Sequence, residues 1–169
     1  MKPLRILCLS DGRPGHYNQT KGLVKAISEV REVEVQWLEV TLKWPFLRPL
    51  FRLLLNGLRG ACWWLVRPAY SLEAQAQAFD LVISTGRNTL PLNIALARRY
   101  GRKNIFIGGL KKIRPRNVDM NITIDEDGTA DSVNVSMAPT FLDLLPESEQ
   151  ADVWMVAIGG DSGSYTYDV

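Results

Sequence analysis

Two stretches, LRILCLSDGRPGH (residues 4–16) and FDLVISTGRNTLPLNIALAR (residues 79–98), decide how this chain folds. Each opens with an apolar run of strand length, breaks at a glycine-bearing turn, and passes into residues spaced for a helix. In the first, Leu4–Ser10 is a buried strand that stops at Asp11-Gly12. A loop, DGRPGHYN, is expected next, and then a helix over Gln19–Val30 with Leu23, Ala26, Ile27 and Val30 on one face. In the second, Ala78–Thr85 supplies the strand and Thr89–Tyr100 the helix. Thr89 is placed as N-cap, Pro91 sits in the first turn where proline is tolerated, and Gly101 ends the helix.

Working outward, Val33–Val40 alternates apolar and polar residues with the period of a strand. Asn104–Gly108, Asp119–Ile124, Val133–Ser136 and Asp152–Ile158 add further apolar runs. Strands that alternate with helices predict right-handed βαβ units and therefore an α/β, Rossmann-like three-layer fold on a mostly parallel sheet. Pro146–Gln150 (PESEQ) reads as a linker. Residues 1–148 are accordingly one domain, and 149–169 the linker, first strand and glycine loop of a second unit left incomplete.

Bulk properties exclude more than they assign. Of 169 residues, 46% are hydrophobic, enough for a core that needs no staples. The formal charge of +2 names no partner, and no nucleic acid is expected. Its distribution is uneven, however. Residues 41–70 carry Lys43, Arg48, Arg52, Arg59 and Arg67 without one acid, and residues 98–116 carry eight basic residues, again without one. Two distant cysteines and one histidine offer no metal or disulfide spacing, so buried thiols and no cofactor are expected. The N-terminal apolar run is too short for a signal peptide, which implies a cytoplasmic chain.

Three segments carry candidate chemistry. In an open α/β sheet, ligands sit beyond the carboxyl ends of strands, where helix N-termini offer free N–H groups to anions. The loop after the first strand supplies Asp11, Gly12, Arg13, Gly15, Asn18 and Gln19 as substrate-binding candidates. It also holds His16, the only histidine, as a catalytic base that works near neutral pH. A tight turn and a surface histidine are the plain alternative. The junction after the strand at 81–85 supplies Thr85, Gly86, Arg87 and Thr89, either as a phosphate cradle or as simple helix capping. The third segment, GGDSGSY at 159–165, offers Gly159, Gly160, Ser162, Ser164 and Tyr165 for a nucleotide diphosphate.

A fourth segment, Pro45–Pro68, reads as one helix. At 100° per residue its Arg48, Arg52, Arg59 and Arg67 share an arc of about 100°, leucines fill the far side, and Trp63 and Trp64 flank them. That pattern suits a helix lying in an anionic membrane surface, the alternative being a helix packed on the sheet with its arginines in water. Part of its apolar face is expected to stay uncovered.

Together DGRPGHYNQTKGLVKAI, FDLVISTGRNTLPLNIALAR and AIGGDSGSYTYD resemble, in order and spacing, the mitochondrial fission domain family, bacterial proteins assigned to glycosyl transfer and named after a plant relative. The resemblance implies a GT-B architecture of two Rossmann-like halves, of which this chain resembles the N-terminal, acceptor-side one. It also resembles the transferase that adds N-acetylglucosamine to the peptidoglycan lipid intermediate, whose glycine loop bears a histidine where His16 stands. The implied function is transfer of sugar from a nucleotide sugar to a membrane-proximal glycan or lipid acceptor, with this chain alone inactive. The expected location is the cytoplasm, with a peripheral position on the inner face of the plasma membrane as the option that residues 45–68 open. A non-catalytic membrane-associated scaffold of the same fold is the alternative, and a small flavodoxin-like nucleotide binder a third reading. An unpaired strand at 152–158 would give the chain a route to homo-oligomers.

Overall fold

The structure, a computed structural model, describes residues 2–58, 62–72, 77–123 and 132–134. The 149–169 unit, the boundary at 148 and the strand at 152–158 all lie outside the described residues.

Strand β1 (Leu4–Ser10) runs into helix α1 (Pro14–Val30) and returns as β2 (Val33–Leu42). Helices α2 (Arg48–Gly57) and α3 (Cys62–Val66) follow, then a short edge strand β3 (Tyr70–Leu72). The second βαβ unit is β4 (Leu81–Thr85), α4 (Leu90–Tyr100) and β5 (Lys103–Ile107). Strands β6 (Met120–Thr123) and β7 (Ser132–Asn134) complete a sheet of order β3-β2-β1-β4-β5-β6-β7. All pairings are parallel except that of β3 with β2.

This order explains the layering. The β1–α1–β2 crossover moves toward one edge of the sheet, and β4–α4–β5 moves toward the other. Right-handed crossovers in opposite directions place their helices on opposite faces. Alternate strand residues therefore enter two cores. Ile6, Cys8 and Ile83 pack with Leu23, Val24 and Ile27 of α1. Leu7, Leu9 and Val82 pack with Phe51, Leu55, Cys62 and the buried face of α4. Burial on both faces is why these strands read as continuous apolar runs. The fold is thus the Rossmann-like three-layer α/β arrangement expected from the sequence.

Three details differ. Helix α1 begins at Pro14 rather than Gln19, because proline's fixed φ suits the first helical position and Arg13 before it is extended. Residues 45–68 are not one helix. A 3₁₀ turn at Pro45–Leu47 leads into α2, which ends at Gly57 with Leu58 extended, and α3 restarts at Cys62. Glycine's entropy cost at that point favours the break. The arc of four arginines is lost with it: only Arg48 and Arg52 share a helix, Arg67 opens a 3₁₀ turn, and Arg59 lies outside the described residues. Strand β3 went unforeseen, being too short to show a period.

A chain of side-chain amides fixes α4 against the sheet. Asn93 Nδ2 donates to Ser84 Oγ (3.0 Å) and to Ile105 O (3.1 Å), and its Oδ1 accepts from Asn104 Nδ2 (2.8 Å). Asn104 Nδ2 also donates to Asn117 O (3.3 Å), and Asn117 accepts from Arg98 Nη2 (2.7 Å) and donates to Asn56 Oδ1 (2.9 Å). Arg98 in turn donates to Leu55 O (3.0 Å) and Leu58 O (2.7 Å), satisfying carbonyls at the C-terminal end of α2. Among the described residues every buried side-chain nitrogen and oxygen has a partner.

Candidate active site at the β1–β4 crevice

Strands β1 and β4 are parallel neighbours whose following connections diverge, so a crevice opens beyond their carboxyl ends. The turns at 11–13 and 86–89 meet there, as the two strand–turn–helix segments require. The crevice encloses about 220 Å³. Asp11, Arg13 and His16 form one wall; Gly86, Arg87 and Asn88 form the other, and Arg48 closes the rim from α2.

His16 is carried by the first turn of α1, not by a loop. Its Nδ1 lies 2.9 Å from Asp11 Oδ1 and 3.1 Å from Oδ2. The Asp11 side chain is only 4% exposed, whereas the imidazole is 28% exposed and reaches the crevice. A carboxylate accepts only, so Nδ1 carries the hydrogen and donates it. That leaves Nε2 as the basic nitrogen, and it has no partner among the described residues. Arg13 Nε stands 4.0 Å from the same carboxylate, with its guanidinium largely in solvent.

Gly86 is required for a reason that spacing did not reveal. Its φ is +91°, and a Cβ at this position would overlap the His16 ring. Only glycine allows both the backbone turn and the seat of the imidazole. The turn itself is clamped. Thr89 N donates to Gly86 O (3.1 Å), and the Thr89 hydroxyl donates to Thr85 O (3.0 Å) and Gly86 O (2.9 Å). Thr89 stands at the N-cap position but caps no N–H; it ties the turn down instead. Thr85 and Thr20 hydroxyls meet at 2.8 Å and join β4 to α1.

Arg48 reaches the crevice through Asn88, whose Oδ1 accepts from Arg48 Nη2 at 2.6 Å. The Tyr70 hydroxyl donates to Asn88 O at 2.6 Å. Burial pushes the Tyr70 phenol above its usual range, which keeps that donor in place. Three arginines, Arg13, Arg48 and Arg87, thus surround the imidazole. No side chain caps α1, whose first turn carries His16 into the lining of the crevice, so the partial positive charge of that helix end lies close by. Chemically, the site pairs a base with several anion receptors.

The other anticipated residues divide. Gly12, with φ of +75°, makes the turn out of β1, and Gly15 lies in the first turn of α1. Asn18 and Gln19 lie farther along α1 and do not line the crevice. Gly159, Gly160, Ser162, Ser164 and Tyr165 lie outside the described residues. Trp63 packs edge-on to Tyr100 at 6.5 Å, whereas Trp64 is 71% exposed under the Arg99 guanidinium. Arg67 Nη1 donates to Tyr70 O (2.9 Å). Arg48, expected at a membrane face, also borders this crevice, and Asn88 is a crevice residue that the sequence pattern does not single out. Asp11, expected to bind substrate, also holds the imidazole, and the signal for that role is an acid five residues ahead of the lone histidine, across a glycine turn.

Among the described residues no cluster of histidine, cysteine and acidic side chains is placed to hold a metal, and no helix is long and apolar enough to cross a membrane. No curated protein and no solved structure matches the chain. The model of one family, described as mitochondrial fission ELM1, matches residues 14–169, from the first turn of α1 onward. The chain belongs to the mitochondrial fission ELM1 family.

Proposed function

We propose that this domain is the acceptor side of a GT-B-like glycosyltransferase that uses a nucleotide sugar. The observation that carries the reading is the Asp11–His16 pair, whose free Nε2 lies in a crevice with Arg13, Arg48 and Arg87. In the proposed step Nε2 takes the proton of an acceptor hydroxyl as its oxygen bonds to the anomeric carbon. The bond from that carbon to the donor's diphosphate breaks, and the nucleoside diphosphate leaves with the electron pair. Asp11 stabilises the imidazolium and holds the ring in its productive tautomer. The arginines and the N-terminus of α1 oppose the negative charge that develops on the leaving group.

Two measurements test this. Uridine, guanosine and cytidine diphosphates are screened for thermal stabilisation of the chain, which scales as RT ln(1 + [L]/Kd). At least one should stabilise it, and Arg87→Ala should weaken the effect. Release of nucleoside diphosphate from a panel of sugar nucleotides is then assayed in a family member with a second α/β half. Turnover abolished by the substitution equivalent to His16→Gln is expected. Absence of both nucleotide binding and sugar release would remove the enzyme reading.

A further inference from the structure

The two acid-free stretches, 41–70 and 98–116, are far apart in sequence but form one surface. Asn56 at the end of α2 donates from Nδ2 to Lys112 O (2.9 Å) and accepts at Oδ1 from Arg114 N (2.9 Å). A cavity of about 170 Å³ opens between α2, the 86–89 turn and residues 110–113. Its floor includes Leu90 and Leu110, and its walls carry Arg48, Arg52, Arg87, Lys111 and Lys112. None of its lining residues is acidic. Arg48 donates to Asn88; among the described residues the other four have no ion-pair partner. Lys111 is the one described non-glycine residue with positive φ, at 58°, a conformation that must be held by its surroundings.

Five cations gathered over an apolar floor repel one another unless an anion sits between them. The adjoining surface indicates which anion. On α2, Phe51 and Leu55 are buried, while Leu50 is 47% and Leu53 is 71% exposed on the side turned away from the core. Phe46, just before the helix, is 75% exposed. Apolar side chains facing outward beside a row of arginines and lysines match the boundary between headgroups and acyl chains in a bilayer. A soluble anion would neutralise the cavity but leave the apolar surface of Phe46, Leu50 and Leu53 in water.

We infer that α2 and residues 110–113 form a lipid-docking face, in which the cavity receives the phosphate of an anionic membrane lipid. Phe46, Leu50 and Leu53 enter the acyl boundary. This inference does not depend on sugar transfer. Arg48 and Arg87 border both cavities, so docking would hold the β1–β4 crevice at headgroup height.

Sedimentation with phosphatidylcholine vesicles, with and without phosphatidylglycerol, tests it. Binding is expected only to the anionic vesicles, falling about five-fold for each basic side chain neutralised. Arg52→Gln with Lys111→Gln reports the charge, and Leu53→Asp the apolar contact; all three side chains are exposed or half-buried, and circular dichroism checks the fold. Each variant should lose vesicle binding yet keep any stabilisation by nucleoside diphosphate. Equal binding to both vesicle types, binding to neither, or full binding by Leu53→Asp would overturn the inference. So would calorimetric binding of inorganic pyrophosphate that Arg52→Gln/Lys111→Gln abolishes while vesicle binding persists.

Discussion

Replacing Gly86 with alanine separates backbone strain from the seat of the imidazole. Gly12 and Gly86 both have positive φ, +75° and +91°, but a Cβ on Gly12 would meet nothing, whereas one on Gly86 would overlap His16. Alanine at Gly12 should therefore cost only the strain of the left-handed conformation, about 1–2 kcal/mol. Alanine at Gly86 should cost that much and also drive the ring from Asp11. A hydrogen bond to a charged group contributes about 1.5–3 kcal/mol, and the partial exposure of His16 places the loss at the lower end. The total is about 3 kcal/mol. Urea unfolding gives the energies. With one histidine in the chain, imidazole ¹⁵N shifts report the tautomer without any need for assignment. The wild type and Gly12→Ala should show Nδ1 protonated and Nε2 bare, and Gly86→Ala should show a tautomer mixture. If Gly86→Ala cost no more than Gly12→Ala and left the imidazole signals unchanged, the steric account of the site would be refuted.

Three further outcomes are expected. Arg5 grips Asp80 through two hydrogen bonds (3.0 and 2.8 Å) and holds its carboxyl well below the usual range. The folded value is depressed, so this stability is fully present above the unfolded carboxylate value of about 3.9 and is lost as pH falls below it. Asp80→Asn should flatten the acid limb of the urea midpoint against pH, and an unchanged limb would refute the pairing. Burial pushes the Cys8 thiol up to about 12, and Cys62 is also buried, so neither should react with a thiol reagent until the chain unfolds. Arg98→Ala should destabilise by about 2 kcal/mol, because carbonyls of α2 and the Asn117 amide lose their donor together. Arg98→Lys should recover only part of that, since an ammonium cannot reproduce the fork.

The fold was legible where the physics is local. Leu4–Ser10 could be read residue by residue because both of its faces are buried, and Gly101 announced the end of α4 by taking the left-handed conformation at the C-cap. Both crevice turns followed from strand–turn–helix grammar alone. What stayed illegible depends on a distant partner. Nothing near Arg48 points to Asn88, 40 residues away, and nothing near Gly86 points to an imidazole 70 residues earlier. The segment at 45–68 misled for another reason. Its apolar residues fit one long helix, yet burial of Phe51, Leu55, Cys62 and Val66 against α4 is met equally well by two short ones with Gly57 between.

The amide chain through Asn93, Asn104 and Asn117 sets a distance as well as a stability. Apolar packing constrains a helix on a sheet through shape alone, whereas paired donors and acceptors line up in a single position. Helix α4 begins directly after Thr89, so a slip would carry Arg87 and Asn88 with it. The spacing between the imidazole and the opposing guanidinium is therefore gauged from behind the sheet, by groups no ligand touches. Asn93→Leu keeps the branched outline of the side chain but removes its donors and acceptor, so the two walls would no longer hold their separation.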